Sequence, residues 1–277
     1  MKILICGAGY TGSRLGHRLR QEGHTVTAWV RSPESASALE QQGWNVIAAD
    51  LADPEAWERM TPHDAVVYGP STSGGGVEGY RALHETGVAL ALARHPDRPF
   101  LYVSSTSVYG QTDGSWVDES SPAEPSAATA RILRTAEDRV LARNGTVARV
   151  AGIYGPGRGV LFRKVLDGTA VLDGDGSRWI NQIHVDDLVS ALVHLFGHSR
   201  APGAVWNIAD AEPVTQRDFY AWICRTFSRP FPPVSSGPVE RKRGNTNKRV
   251  SSARLTGLGW IPRYPTYREG YSAIGPA

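Results

Sequence analysis

Lys2-Ile3-Leu4-Ile5-Cys6-Gly7-Ala8-Gly9-Tyr10-Thr11-Gly12 is the stretch that decides the fold. A short apolar run ends in a G-x-G-x-x-G pattern and continues into an amphipathic segment from Tyr10 to Gln21. A strand that turns through glycines into a helix builds a site for a dinucleotide. Gly7 permits the tight turn, Gly9 lets a pyrophosphate approach the backbone, and Gly12 lets helix and strand pack closely. The helix start, with Tyr10 and Thr11 in its first turn, adds unpaired N–H groups and a positive dipole end.

Outward from that stretch, apolar runs and helical patterns alternate. Strands are predicted at 25–30, 44–49, 65–68, 100–103 and 146–150. Helices are predicted at 33–42, with Pro33 near its first turn, at 79–94, and from Ser121 or Glu124 through Arg143. Near-continuous apolar strands alternating with helices imply a parallel sheet covered on both faces, an α/β, Rossmann-type, doubly wound architecture. From Ala151 the rhythm gives way to Gly/Pro-rich loops and returns at 180–196 and 205–208. The predicted organisation is a dinucleotide-binding domain over 1–155, rejoined by 180–208, with 156–277 mainly a small C-terminal substrate lobe. Ser228–Gly244 reads as a mobile loop ending in Arg241-Lys242-Arg243.

Composition narrows the class. The 277 residues carry a formal charge of +3, too small and too scattered to argue for nucleic acid. Arginine outnumbers lysine by 26 to four, which reads as a composition bias. The two cysteines, Cys6 and Cys224, form no metal spacing and suit a reducing compartment. No apolar run approaches about 18 residues, and Met1–Cys6 is already the first strand, so a cytoplasmic protein with no membrane span and no metal is expected.

The second predicted strand ends in Val30-Arg31-Ser32 where an NAD site carries an Asp or Glu for the ribose hydroxyls. A guanidinium at Arg31 and a hydroxyl at Ser32 suit a 2′-phosphate, so NADP is favoured over NAD, against the plainer reading of a solvent-facing arginine. Asp50 could equally be a helix cap. Gly69-Pro70-Ser71, after the fourth strand, lies at the carboxyl edge of the sheet, where open α/β folds bind ligands.

The run Tyr102 to Gly110, Tyr-Val-Ser-Ser-Thr-Ser-Val-Tyr-Gly, resembles the active-site strand end of the extended short-chain dehydrogenase/reductase family, the NAD-dependent epimerases and dehydratases. By that resemblance Asp50 and Leu51 flank the adenine, and Ser105 is the hydroxyl that bonds the substrate carbonyl or carbinol. A Tyr-x-x-x-Lys pair should follow about two dozen residues on. Here no tyrosine follows the run until Tyr154 and no lysine until Lys164. With Glu137 at the family's acidic helix position, Thr129 takes the tyrosine's place and Leu133 the lysine's. An alkyl hydroxyl is a far weaker acid than a phenol of pKa about 10. Arg131 stays charged and can hold an anion or a developing oxyanion, yet cannot act as a base.

The resemblance is therefore to an atypical branch of the family, without the usual acid/base pair. It extends through Arg149-Val150-Ala151-Gly152-Ile153-Tyr154-Gly155, where Gly152 replaces the asparagine that holds a sugar diphosphate, and through Leu172–Arg178 and Asn247–Leu255 in the substrate lobe. Tyr154, in a loop, is the alternative proton donor, with packing its plainer reading. His184 is a minor candidate in a segment where the resemblance has an Asp cap the next helix. The helices at 79–94 and 122–143 correspond to those that pair in family dimers, which implies a homodimer. The expected function is an NADP-dependent oxidoreductase acting on a small carbonyl or hydroxyl compound. A catalytically silent NADP-binding sensor and a nucleotide-sugar epimerase or dehydratase with a displaced acid are the alternatives.

Overall fold

The computed structural model describes residues 1–72, 74–198, 201–237 and 246–276. Arg241, Lys242 and Arg243 lie outside the described residues, as does Ser73. Strand β1 (Lys2–Cys6) buries Ile3, Leu4, Ile5 and Cys6, on both faces, as a central parallel strand must. It is followed by α1 (Tyr10–Gln21), β2 (Thr25–Val30), α2 (Pro33–Glu40), β3 (Asn45–Ala48), α3 (Pro54–Arg59) and β4 (Ala65–Tyr68). Next come α4 (Gly76–Tyr80), a π-helical stretch (Arg81–Gly87), α5 (Val88–Arg94), β5 (Phe100–Ser105) and a 3-10 turn (Thr106–Val108). Then follow β6 (Trp116–Val117), α6 (Ala128–Leu141), β7 (Thr146–Val150), β8 (Gly152–Tyr154), α7 (Val160–Leu166), β9 (Trp179–Ile180) and β10 (Gln182–His184). The chain closes with α8 (Val185–Gly197), β11 (Val205–Ile208), β12 (Val214–Thr215), α9 (Gln216–Thr226), β13 (Arg249–Val250), α10 (Ala253–Gly257) and α11 (Tyr267–Ile274).

The main sheet has seven strands in the order β11-β7-β5-β4-β1-β2-β3, with the pairings from β3 through β5 all parallel. The chain runs outward from β1 through β2 to β3 and then crosses to β4 on the other side. That reversal opens a crevice at the carboxyl ends of β1 and β4, the ligand position of doubly wound sheets. Local chemistry starts the flanking helices: Ser32 caps α2 ahead of Pro33, and Asp53 caps α3 ahead of Pro54.

Two compact units form. The first comprises 1–108, 124–149 and 189–206; the second comprises 109–123, 150–188 and 207–277. The sequence reading placed the division at 155, whereas these units part after Arg149, and the segment 109–123 joins the second. The second unit has an aromatic core of its own, in which Tyr154, Phe162, Phe219, Tyr267 and Tyr271 pack together.

Two helices differ from expectation. The helix predicted to open at Ser121 or Glu124 begins at Ala128, because Pro122 and Pro125 interrupt it and Ala127 is extended (ψ 134°). The helix predicted at 79–94 starts at Gly76 and carries the π stretch. There the Tyr68 hydroxyl donates to Leu83 O at 2.6 Å, and a Cβ at Gly87 would lie only 2.3 Å from the Tyr68 hydroxyl oxygen. A side chain wedged against the backbone ladder accounts for the extra residue in the turn.

The same stretch holds a buried imidazole. His84 Nδ1 and the Tyr102 hydroxyl lie 2.8 Å apart, and burial pushes His84 down to about 4 from its usual 6.5. The folded pKa is lowered, so between pH 6.5 and 4 the unfolded chain binds the extra proton. Stability is full above that window and falls through it, by up to about 3 kcal/mol from this group. Burial lowers His63 and His95 in the same direction. Urea unfolding at pH 7 and pH 4.5 measures the loss; His84→Phe should flatten the slope, and an unchanged slope would place its origin elsewhere.

Candidate functional site

The crevice is built by glycines with three different reasons to be glycine. Gly7 has φ +92°, and a Cβ there would sit 2.6 Å from Pro70 Cα, where β4 ends. A Cβ at Gly12 would lie 2.4 Å from Gly7 O. At Gly9 the added atom would meet nothing within 4 Å, which leaves room for a ligand. No side chain caps α1 at Gly9, and the N–H groups of a helix's first turn have no acceptors within the helix. An open concavity faced by uncapped amides fits a pyrophosphate. Beside it the Arg14 guanidinium lies 4.1 Å from the centre of the Tyr10 ring and donates to Tyr10 O.

At the carboxyl end of β2, Arg31 is solvent-exposed, and no hydrogen-bond or ion-pair partner engages it among the described residues. Ser32 is already employed: its Oγ accepts Ser35 N at 3.2 Å as the cap of α2. Asp50 Oδ1 accepts Ala52 N at 2.8 Å, closing a local turn, while Leu51 is buried and its carbonyl accepts Trp57 Nε1. The helix-cap alternative for Asp50 does not describe it, since Asp53 caps the following helix. Gly69 donates to Cys6 O at 3.0 Å, tying β4 to β1 at the crevice, with Pro70 against Gly7 and Ser71 exposed beyond it.

On the next strand, alternation sends two serines to opposite faces of β5. Ser105, half-buried, accepts Ser107 N at 3.2 Å, which leaves its O–H as a donor. Ser104 points the other way and donates to Glu137 Oε1 at 2.6 Å. Glu137 is wholly buried on α6 and receives Arg149 Nη2 at 2.6 Å and Nε at 3.1 Å. Sequence reasoning missed this triad, although its signal was present. Glu137 lies in the apolar stripe of α6 with Ile132, Leu133, Ala136 and Val140, and Arg149 interrupts an apolar strand; two opposite charges in core positions imply each other.

The other candidates fare differently. Thr129 is half-buried in the first turn of α6, and Leu133 is buried one turn on. Arg131 is exposed and folds back to donate to Ser126 O. Ser105, Thr129 and Arg131 belong to the first unit, Tyr154 to the second. Tyr154 is 1% exposed, stacked 4.2 Å from Tyr271, and its hydroxyl has no hydrogen-bond partner among the described residues. Burial, first, and the nearby Asp210 push that phenol far above its ordinary pKa, the wrong direction for a proton donor near neutrality. Its surroundings are those of a packing residue.

His184 is 2% exposed, and its Nδ1 accepts Asp186 N at 3.2 Å, so the imidazole starts α8. Asp187, in the segment expected to cap that helix, instead accepts Arg263 N and Tyr264 N at 2.6 and 2.8 Å. Among the described residues no group of three or more His, Cys, Asp or Glu side chains could hold a metal ion, and no helix is long and apolar enough to cross a membrane.

A doubly wound sheet with a glycine-lined crevice and a serine at the next strand end defines a nicotinamide-cofactor protein of the short-chain dehydrogenase/reductase type. The family model for the NAD-dependent epimerase/dehydratase family matches residues 3–209, and the chain belongs to that family. It is 27% identical to a 3-diazoavenalumate denitrifying reductase of a Streptomyces species, over 98% of this chain and 99% of that one. A conserved protein of Silicibacter pomeroyi, described as functionally unknown, is similar at 31% identity and TM-score 0.78, covering 99% of this chain and 97% of its own. A putative NAD-dependent epimerase/dehydratase from Methylobacillus flagellatus is similar at 27% identity and TM-score 0.80, over the same shares.

Proposed function

We propose that the protein is an NADP-dependent oxidoreductase acting on a small carbonyl or hydroxyl compound. The observation that carries the cofactor choice is Arg31, an exposed guanidinium without a partner among the described residues, placed directly after β2 where an acid would serve NAD. Gly7, Gly9, Tyr10, Thr11 and Gly12 would hold the pyrophosphate, Arg31 and Ser32 the 2′-phosphate, Asp50 and Leu51 the adenine, and Gly69, Pro70 and Ser71 the nicotinamide ribose. The bound nicotinamide supplies or accepts the hydride. The Ser105 O–H orients the substrate oxygen, with the Thr129 hydroxyl assisting and Arg131 available to an anionic group. Reducing a carbonyl also takes up one proton, and oxidising an alcohol releases one, exchanged with solvent; binding and orientation are themselves rate-enhancing, so such a site would work without a tuned phenol. That one relative is a reductase agrees with this reading.

NADPH should bind more tightly than NADH. Arg31→Glu should weaken NADPH about ten- to hundred-fold, the equivalent of one charged hydrogen bond, with NADH little changed. Calorimetric titration of both cofactors checks this; equal affinities in the unaltered protein would remove the argument from Arg31.

A second reading, a catalytically silent NADP-binding sensor, draws on Thr129 and Leu133 in the places of the acid/base pair and on the walled-in Tyr154. It expects thermal stabilisation by NADPH with no oxidation by any panel of small carbonyls, whereas the oxidoreductase reading expects turnover.

A further inference from the structure

Three segments of the second unit meet around two cations that no carboxylate among the described residues neutralises. Lys248 is 6% exposed, and its ammonium donates to Tyr109 O and Thr246 Oγ1, both at 3.0 Å. The half-buried Arg178 donates through Nε to Thr246 O at 3.4 Å. Among the described residues neither cation forms an ion pair. The surrounding frame is tightly tied. Asn247 Oδ1 accepts Trp179 N, and Asn181 bridges Lys248 O and Val250 N at 2.9 and 2.7 Å. Arg249, next in the chain, lies 5.2 and 4.9 Å from the Trp116 and Trp179 ring centres.

Burying an ammonium on neutral acceptors beside a second positive charge is unfavourable. The cost is visible in Lys248 itself, which burial, and secondarily Arg178, bring down to about 8 from an ordinary 10.5. A hydrophobic residue would fill the position at lower cost, so the arrangement has to be compensated by something of opposite charge. An oxyanion does this: it offsets both charges and accepts the donors that Tyr109 and Thr246 leave over.

We infer that Lys248 and Arg178 form an oxyanion-binding site in the second unit, one that takes a carboxylate or phosphate group of the substrate. The inference rests on the proposed function in assigning the second unit to the substrate, and it makes that substrate an anionic carbonyl or hydroxyl compound.

The test is calorimetric titration of the full chain, without cofactor, by malonate and by inorganic phosphate, at ionic strength held constant with sodium chloride. Saturable binding of one or both is expected, and which one binds identifies a carboxylate or a phosphate site. Lys248→Met and Arg178→Gln should each weaken it by about ten-fold or more, as loss of a charged hydrogen bond does. Near-UV circular dichroism confirms that the variants are folded, and Arg268→Gln, a surface change, should bind as the unaltered chain does. Absence of saturable binding by the unaltered chain, or unchanged affinity in a folded Lys248→Met protein, overturns the site. NADPH titration of the same samples reports on the oxidoreductase reading separately, since a chain that binds NADPH but neither anion loses only this site.

Discussion

Replacing Arg149 with methionine should destabilise the protein by about 3–5 kcal/mol, a large share of the roughly 5–15 kcal/mol that holds a domain together. Arg149 is 3% exposed and gives Glu137, at 0%, a two-pronged pairing at 2.6 and 3.1 Å. Without the guanidinium a carboxylate remains in the core with the Ser104 hydroxyl and the more distant, part-exposed Arg134 guanidinium, at 3.7 Å, as its remaining compensation. The double variant Arg149→Met/Glu137→Leu should recover most of the loss, because an apolar pair replaces a buried ion pair at small net cost. Urea midpoints with unchanged slopes measure both. A loss below about 1 kcal/mol in the single variant would mean that the pair is hydrated and contributes as a surface pair does.

The second large effect falls on cofactor binding. Gly12→Val should reduce NADPH affinity more than hundred-fold and lower stability as well. Its Cβ would lie 2.4 Å from Gly7 O and 3.2 Å from Ile5 Cγ2, so α1 must move off β1 and take its first-turn amides with it. Gly9→Ala separates the two consequences. A Cβ there meets nothing within 4 Å, so the melting temperature should stay put while the methyl obstructs the space assigned to the pyrophosphate. Normal NADPH binding by Gly9→Ala would show that the phosphates lie elsewhere.

Much of this was legible in the sequence because it is local. The turn from β1 into α1 needs glycine at particular positions, and a strand buried on both faces has to read as an apolar run, as Ile3-Leu4-Ile5-Cys6 does. Proline with a capping hydroxyl or carboxylate likewise marks the starts of α2 and α3. What stayed hidden depends on partners distant in the chain. Ser104, Glu137 and Arg149 come from β5, α6 and β7; a charge at a core position implies an opposite one, but only the fold brings these three together. Tyr154 sat beside glycines and a proline that suggested an accessible loop, whereas the rings of His184 and Tyr271, from β10 and α11, pack against it inside an aromatic core. Lys248 read as one basic residue among several, and only the folded contacts reveal that no acid among the described residues accompanies it.

The π stretch has a consequence for how this helix tolerates change. The helical path from Gly76 to Arg94 accommodates one residue more than an unbroken α-helix over the same course, and each residue of an α-helix turns the direction of its side chain by about 100°. Everything before the stretch is thereby offset in phase from everything after it. Gly87 and Tyr68 hold that phase jointly, so a larger residue at 87 is admissible only with a smaller one at 68. Across homologues the two positions should covary, and a one-residue deletion between Arg81 and Gly87 should travel with loss of the phenol from the end of β4.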